Sequence, residues 1–189
     1  MIQLKYFLDM KQALIVHGSG GSPNGGWISW IKKNLEREGF EAICPQFPIE
    51  TETQKLQNWM KVLGGATIGS QTIGIGHSLG VPFLLNYLEK KPLKAVYLVA
   101  GFTGLLDNEF DEVIHTFSDK DFDWEQIRNN CPNINIIYSD NDPYVPATKA
   151  FEMGEKLGVE PILIKGAAHF STENGFTDFP FLLEKILLN

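Results

Sequence analysis

The sequence predicts an α/β protein, a single domain in which helices cover both faces of a mostly or wholly parallel six-stranded sheet. Three observations predict this three-layer α/β/α class. Short apolar runs of strand length recur along the chain. The stretches between them carry apolar residues at helical spacing. The two kinds of stretch alternate from Ala13 to the C-terminus, and such alternation builds a parallel sheet buried on both faces.

Size and composition agree with that class. A chain of 189 residues with 43% hydrophobic and 12% aromatic content forms one compact domain, spanning residues 1–189, without disulfides or metals. A formal net charge of −7 argues against nucleic acid and against an anionic membrane surface as partner. Cys44 and Cys131 form no metal or redox pattern and read as free thiols of a cytoplasmic protein. No apolar run reaches transmembrane length. The opening residues lack the apolar core and cleavage site of a secretory signal, and residues 1–10 read as an N-terminal extension or arm. Nothing in the sequence specifies an oligomeric state.

Each element follows from its own residues. Ala13–Val16 is a fully apolar strand that ends at the glycine-rich His17-Gly18-Ser19-Gly20-Gly21. That loop lacks the Gly-Lys-Ser/Thr of a phosphate-binding loop, so it is free to present a backbone N–H to a neighbouring site. Trp27, Trp30, Ile31 and Leu35 mark one face of a helix closed by Gly39, with Trp27 assigned to the core. Glu41–Cys44 is a short strand, followed by the rigid loop Pro45-Gln46-Phe47-Pro48. Thr51-x-x-Gln54 predicts a capping box for a helix with Leu56, Trp59, Met60 and Leu63 on one face, stopped by Gly64-Gly65. Ala95–Val99, Ile134–Tyr138 and Pro161–Ile164 are the later strands. Ala147, Ala150, Phe151 and Leu157 stripe a helix ended by Gly158. Asp178 is expected to cap a final helix with Leu182, Leu183, Ile186 and Leu187 on its apolar side.

Residues 71–88 hold the most informative stretch. Ile73–Ile75 reads as a strand and Leu79–Leu88 as a buried helix, with Gly76-His77-Ser78-Leu79-Gly80 between them. A strand that turns directly into a helix strains the apex residue, and the positions two away must be small for strand and helix to pass. Gly76 and Gly80 meet that demand and leave Ser78 exposed at a helix N-terminus, where unpaired N–H groups favour negative charge. The spacing fits the G-x-S-x-G nucleophile turn. A dinucleotide-binding turn would need an acid at the end of the next strand, and Val99-Ala100-Gly101 offers none. A serine that merely caps a core helix is the plainer alternative.

A serine nucleophile needs a base, and the base needs an orienting acid. Two later loops leave strand C-terminal ends on the edge where Ser78 sits: Ser139-Asp140-Asn141-Asp142-Pro143 and Lys165-Gly166-Ala167-Ala168-His169. His169, flanked by small residues, is the expected base. His17 organises its own loop, His77 points away from Ser78, and His115 belongs to the surface. Asp142 and Asp140 both remain as acids, with Asp142 favoured by the Pro-Tyr-Val-Pro that follows. No cluster has metal-ligand spacing, and no cofactor is expected.

Residues 102–130 break the alternation. They carry eight acids against Lys120 and Arg128, interleaved with Phe102, Leu105, Phe110, Phe117, Phe122 and Trp124. The stretch reads as an amphipathic excursion, and more sharply as a small lid that favours neutral or cationic substrates.

His17-Gly18, Gly76-His77-Ser78-Leu79-Gly80, Asp142-x-x-Val145-Pro146 and Gly166-x-x-His169-Phe170 together resemble the α/β-hydrolase superfamily. The small size resembles its retinoblastoma-binding protein nine / YdeN-like serine hydrolases, over residues 11–188. The resemblance implies a reduced hydrolase fold with Ser78, Asp142 and His169 as triad. It also implies the N–H groups of Leu79 and Ser19 as oxyanion hole. The expected activity is hydrolysis of a small ester, thioester or amide. A hydrolase-fold protein that binds a protein partner through the excursion is the competing expectation.

Overall fold

The computed structural model describes residues 11–188, so the extension expected at residues 1–10 lies outside the described residues. Six strands form one sheet: β1 (Lys11–Val16), β2 (Phe40–Ile43), β3 (Thr72–His77), β4 (Ala95–Val99), β5 (Ile134–Tyr138) and β6 (Ile162–Leu163). Their order is β2-β1-β3-β4-β5-β6, and every pairing is parallel. Around them lie α1 (Gly26–Arg37), α2 (Leu56–Val62), α3 (Gly80–Leu88), α4 (Asp111–Ser118), α5 (Trp124–Asn130), α6 (Ala147–Leu157) and α7 (Pro180–Leu187).

Strand alternation divides the core into two layers. Leu14 and Val16 face one side, where they join Phe47, Trp59, Leu84 and Met153. Ala13 and Ile15 face the other, with Trp27, Ile31, Leu182 and Ile186. Helices α1 and α7 therefore cover one face of the sheet, and α2 to α6 cover the other. Helix α3 is buried at every position. Its nearly all-apolar sequence follows from that place, because each fully buried leucine contributes about 1.5–3 kcal/mol.

The order of the strands locates a crevice. After β1 the chain moves outward to β2, whereas after β3 it moves the other way to β4. The loops leaving β1 and β3 thus diverge at their C-terminal ends, and a parallel sheet opens a binding crevice at such a point.

Two predicted helix starts are corrected. Helix α2 begins after Lys55 with no side-chain cap, so Thr51 and Gln54 do not form a capping box. Residues 50–54 instead close their own turn, with the Thr53 and Gln54 N–H groups both donating to Glu50 O. Gln54 is buried and turns toward the glycine-rich loop. Helix α7 begins after Phe179 rather than at an Asp178 cap. Phe179 packs against Trp27, Phe170 and Phe176, and Pro180 presets the first helical φ. Phe151, expected on the inward stripe of α6, is half exposed and rests against the edge of Tyr138.

The excursion folds as α4 and α5 against α3. Ile114, Phe117 and Ile127 face inward. Asn86 of α3 ties the layer down by donating to Pro82 O and Phe117 O. The acids stay on the outer side or serve locally, as where Asp111 accepts from the Leu106 N–H. Among the described residues no helix is long and apolar enough to cross a membrane.

Candidate active site

Ser78 sits at the point where β3 turns into α3, with a left-handed φ of 53°. Its N–H donates to Val99 O and its carbonyl accepts from the Val81 N–H, both at 2.9 Å, so the strained backbone is held from two sides. A Cβ at position 76 would lie 2.7 Å from Gly80 O, and one at position 80 would lie 2.3 Å from Val16 O. Strand, helix and the end of β1 pass too closely for any side chain at these two positions.

The loop after β1 lies directly over this turn. A Cβ on Gly18 would come within 3.0 Å of Ser78 Cβ. His17 shapes the loop as expected. Its Nδ1–H donates to Gly18 O at 2.8 Å and its Nε2 accepts from the Phe47 N–H at 3.1 Å. A carbonyl can only accept and an amide N–H can only donate, so these partners fix the neutral tautomer. Burial lowers the His17 pKa in the same sense. Ser19 Oγ accepts from Gln54 Nε2 at 2.7 Å.

The loops after β5 and β6 are joined by three consecutive residues. Asp140 accepts from the Gly166 N–H and Asn141 from the Ala168 N–H, each at 2.8 Å. Asp142 Oδ2 meets His169 Nδ1 at 2.7 Å. The other Asp142 oxygen accepts from the Tyr144 and Val145 N–H groups at 2.9 and 3.0 Å. With its carboxylate only 3% exposed, Asp142 is both anchored and shielded, while His169 keeps 12% of its side chain exposed. A carboxylate accepts, so neutral His169 carries its proton on Nδ1 and leaves Nε2 as a base. The two loops therefore separate the two candidate acids: Asp142 meets the imidazole, and Asp140 holds the backbone beside it. Among the described residues no three His, Cys, Asp or Glu side chains cluster as metal ligands.

A family model described as serine hydrolase matches residues 13–187. The chain belongs to the serine hydrolase family. This hydrolase is 30% identical to the serine hydrolase RBBP9 of Rattus norvegicus over 163 residues, 84% of this chain and 87% of that protein. It is 27% identical to YdeN of Bacillus subtilis (strain 168) over 180 residues, 92% of this chain and 93% of that protein. The crystal structure of the ydeN gene product from B. subtilis matches it with a TM-score of 0.84 at 26% identity, covering 94% of this chain and 97% of that one. The wholly parallel sheet is thus the reduced α/β-hydrolase fold.

Around the loops of this hydrolase the structure adds groups that sequence reasoning missed. His77, which the sequence places inside the turn without a role, turns its ring toward His169 and donates from Nε2 to the His169 carbonyl at 2.9 Å. Trp27 belongs to the core as expected, but its indole N–H also donates to Phe170 O at 2.9 Å. These two bonds brace a segment in which Ala168 and Phe170 both adopt left-handed φ, at 46° and 52°. No motif announces either contact, because both go to backbone carbonyls far away in sequence. His115 is exposed, as expected, and its Nδ1 bonds to Glu112 O.

Burial, reinforced by the neighbouring His169, pushes the His77 pKa down to about 3. The unfolded chain takes up protons at its histidines below about 6.5. It therefore binds more protons than the folded chain between that value and about 3, and stability falls as pH drops through this window. The melting temperature is expected to decline there, with a shallower slope in His77→Gln. An unchanged slope would contradict the neutral His77.

Ser78 and His169 line two adjoining cavities, of about 310 and 210 Å³. The glycine-rich loop walls the larger. Apolar residues of the excursion wall the smaller, and none of the eight acids of that stretch takes part.

Proposed function

We propose that Ser78, His169 and Asp142 are the catalytic triad of this serine hydrolase, and that the N–H groups of Leu79 and Ser19 form its oxyanion hole. One observation carries the reading. The Asp142–His169 contact at 2.7 Å leaves His169 Nε2 unprotonated beside a cavity shared with the strained Ser78. Leu79 is the N-cap of α3, where the first N–H groups lack helical acceptors and the dipole favours an oxyanion. Gly18 holds the preceding loop close to Ser78, which favours Ser19 as the second donor.

The reaction is acyl transfer to water. Nε2 of His169 takes the Ser78 proton as Oγ bonds to the carbonyl carbon of a small ester, thioester or amide. The carbonyl oxygen becomes the oxyanion, which the two N–H groups stabilise. The bond to the leaving atom then breaks, and His169 passes the proton to that atom. Water loses a proton to His169 and attacks the acyl-enzyme, and Ser78 regains its proton as the acid departs. Asp142 stays ionised and holds the imidazole.

The substrate is a neutral or cationic small molecule. Glu173 is the charged carboxylate among the residues lining the cavities, and among the described residues neither lysine nor arginine lines them. The reaction belongs to a reducing cytoplasm, which suits the free Cys44 and Cys131. Burial raises these thiols to about 12 and about 11, so they do not compete with Ser78 as nucleophiles.

Turnover of p-nitrophenyl acetate tests this function. Equal amounts of acetate and p-nitrophenol should form far faster than in buffer. Folded protein with no excess over buffer would overturn it.

A further inference from the structure

The two cavities at Ser78 differ in chemistry. Leu79, Phe102, Leu106, Phe110, Ile114 and Val145 line the smaller, together with Ser19, Tyr144, Ser78 and His169. The glycine-rich loop, Ser171, Thr172 and Glu173 line the larger, together with Trp27, Ile28 and Phe170. Gly26 lets that loop close on the segment after His169, since a Cβ there would lie 2.5 Å from Thr172 Oγ1. Tyr144 stands between the cavities, its ring edge-on to Phe110 on one side and to His169 on the other.

This division orients a substrate. His169 must deliver its proton to the leaving atom, and the segment that follows it, from Phe170 to Glu173, walls the larger cavity. The leaving group therefore lies on that side. The acyl chain extends the other way, past Leu79 and under the excursion. An apolar cavity of about 150 Å³ is large enough to hold benzene. The smaller cavity here, at about 210 Å³, accommodates a ring or a chain of roughly six to eight carbons.

Building on the triad reading, we propose that the apolar cavity is the acyl pocket, and that this hydrolase prefers medium-chain or ring-bearing apolar acyl groups, with the leaving group in the larger cavity. Phe110 and Leu106, half-buried at its rim, set the length it accepts. Each methylene moved from water into such a pocket raises kcat/KM about four-fold.

The test is kcat/KM for p-nitrophenyl acetate, butanoate and hexanoate, which share one leaving group. In wild type the hexanoate should exceed the acetate by about 250-fold. Leu106→Trp fills the pocket from its rim and should lower kcat/KM for the hexanoate far more than for the acetate, removing most of that preference. Phe110→Ala opens the pocket and should move the optimum to a longer chain, which an octanoate ester would detect. A Ser78-dependent acetate activity with no chain-length preference, or equal losses on acetate and hexanoate in both variants, overturns the acyl pocket and leaves the triad standing. Absence of Ser78-dependent turnover on any of the esters overturns the triad reading and the pocket together.

Discussion

Ser78→Ala is expected to lower kcat for p-nitrophenyl ester hydrolysis by at least about 10⁴-fold while the protein stays folded. The size of the loss follows from the chemistry. Without Oγ no acyl-enzyme forms, and water would have to attack directly in a site arranged for a bound nucleophile. What remains is binding and the oxyanion donors, whose contribution over solution is smaller. The fold should tolerate the change for two reasons. The backbone bonds of residue 78 to Val99 and Val81 do not involve its side chain. Alanine at a φ of 53° carries the same left-handed strain that serine already carries. Circular dichroism and the melting temperature should therefore match wild type. Loss of turnover together with loss of fold would say nothing for a nucleophile, and wild-type turnover would remove Ser78 from the mechanism.

Asp142→Asn should cost nearly as much, about 10⁴-fold, and the hydrogen bonds of Asp142 explain why. One carboxylate oxygen accepts from the Tyr144 and Val145 N–H groups, so an asparagine would keep its carbonyl there. Its NH₂ would then face His169 Nδ1, in place of the oxygen that now meets it at 2.7 Å. An NH₂ donates, so Nδ1 would become the acceptor and the proton would move to Nε2. His169 in that tautomer cannot accept the Ser78 proton. Asp140→Asn is the internal control. Its role is to accept from the Gly166 N–H, and an amide oxygen does that equally well. Turnover in Asp140→Asn should stay within a few-fold of wild type. The reverse order of effects would place the acid on Asp140.

The strands, their parallel sense and the crevice edge were legible because each depends on local pattern. Apolar runs such as Ala95–Val99 admit few other readings once they are buried on both faces. The turn at Ser78 was legible for a steric reason, since the two glycines stand where a Cβ would meet backbone at under 3 Å. His169 and Asp142 were placed together by strand order, because residues at the C-terminal ends of neighbouring parallel strands converge. The helix starts at Leu56 and Pro180 were misread because tertiary packing outweighed capping: Gln54 is drawn into the interior and Phe179 into an aromatic cluster. His77 was hidden for another reason. Its partner is a carbonyl that the β6 loop brings from 92 residues away, and no spacing within the β3 turn encodes that contact.

The measurement that bears most directly on the triad is labelling by a fluorophosphonate, located by mass spectrometry of peptides, with Ser78→Ala as control. These probes bond to serines whose proton has a base to accept it and pass over ordinary hydroxyls. One probe per chain is expected, on the peptide holding Ser78, and none on Ser78→Ala. Folded wild-type protein that stays unlabelled, or a label that persists in Ser78→Ala, would contradict the triad.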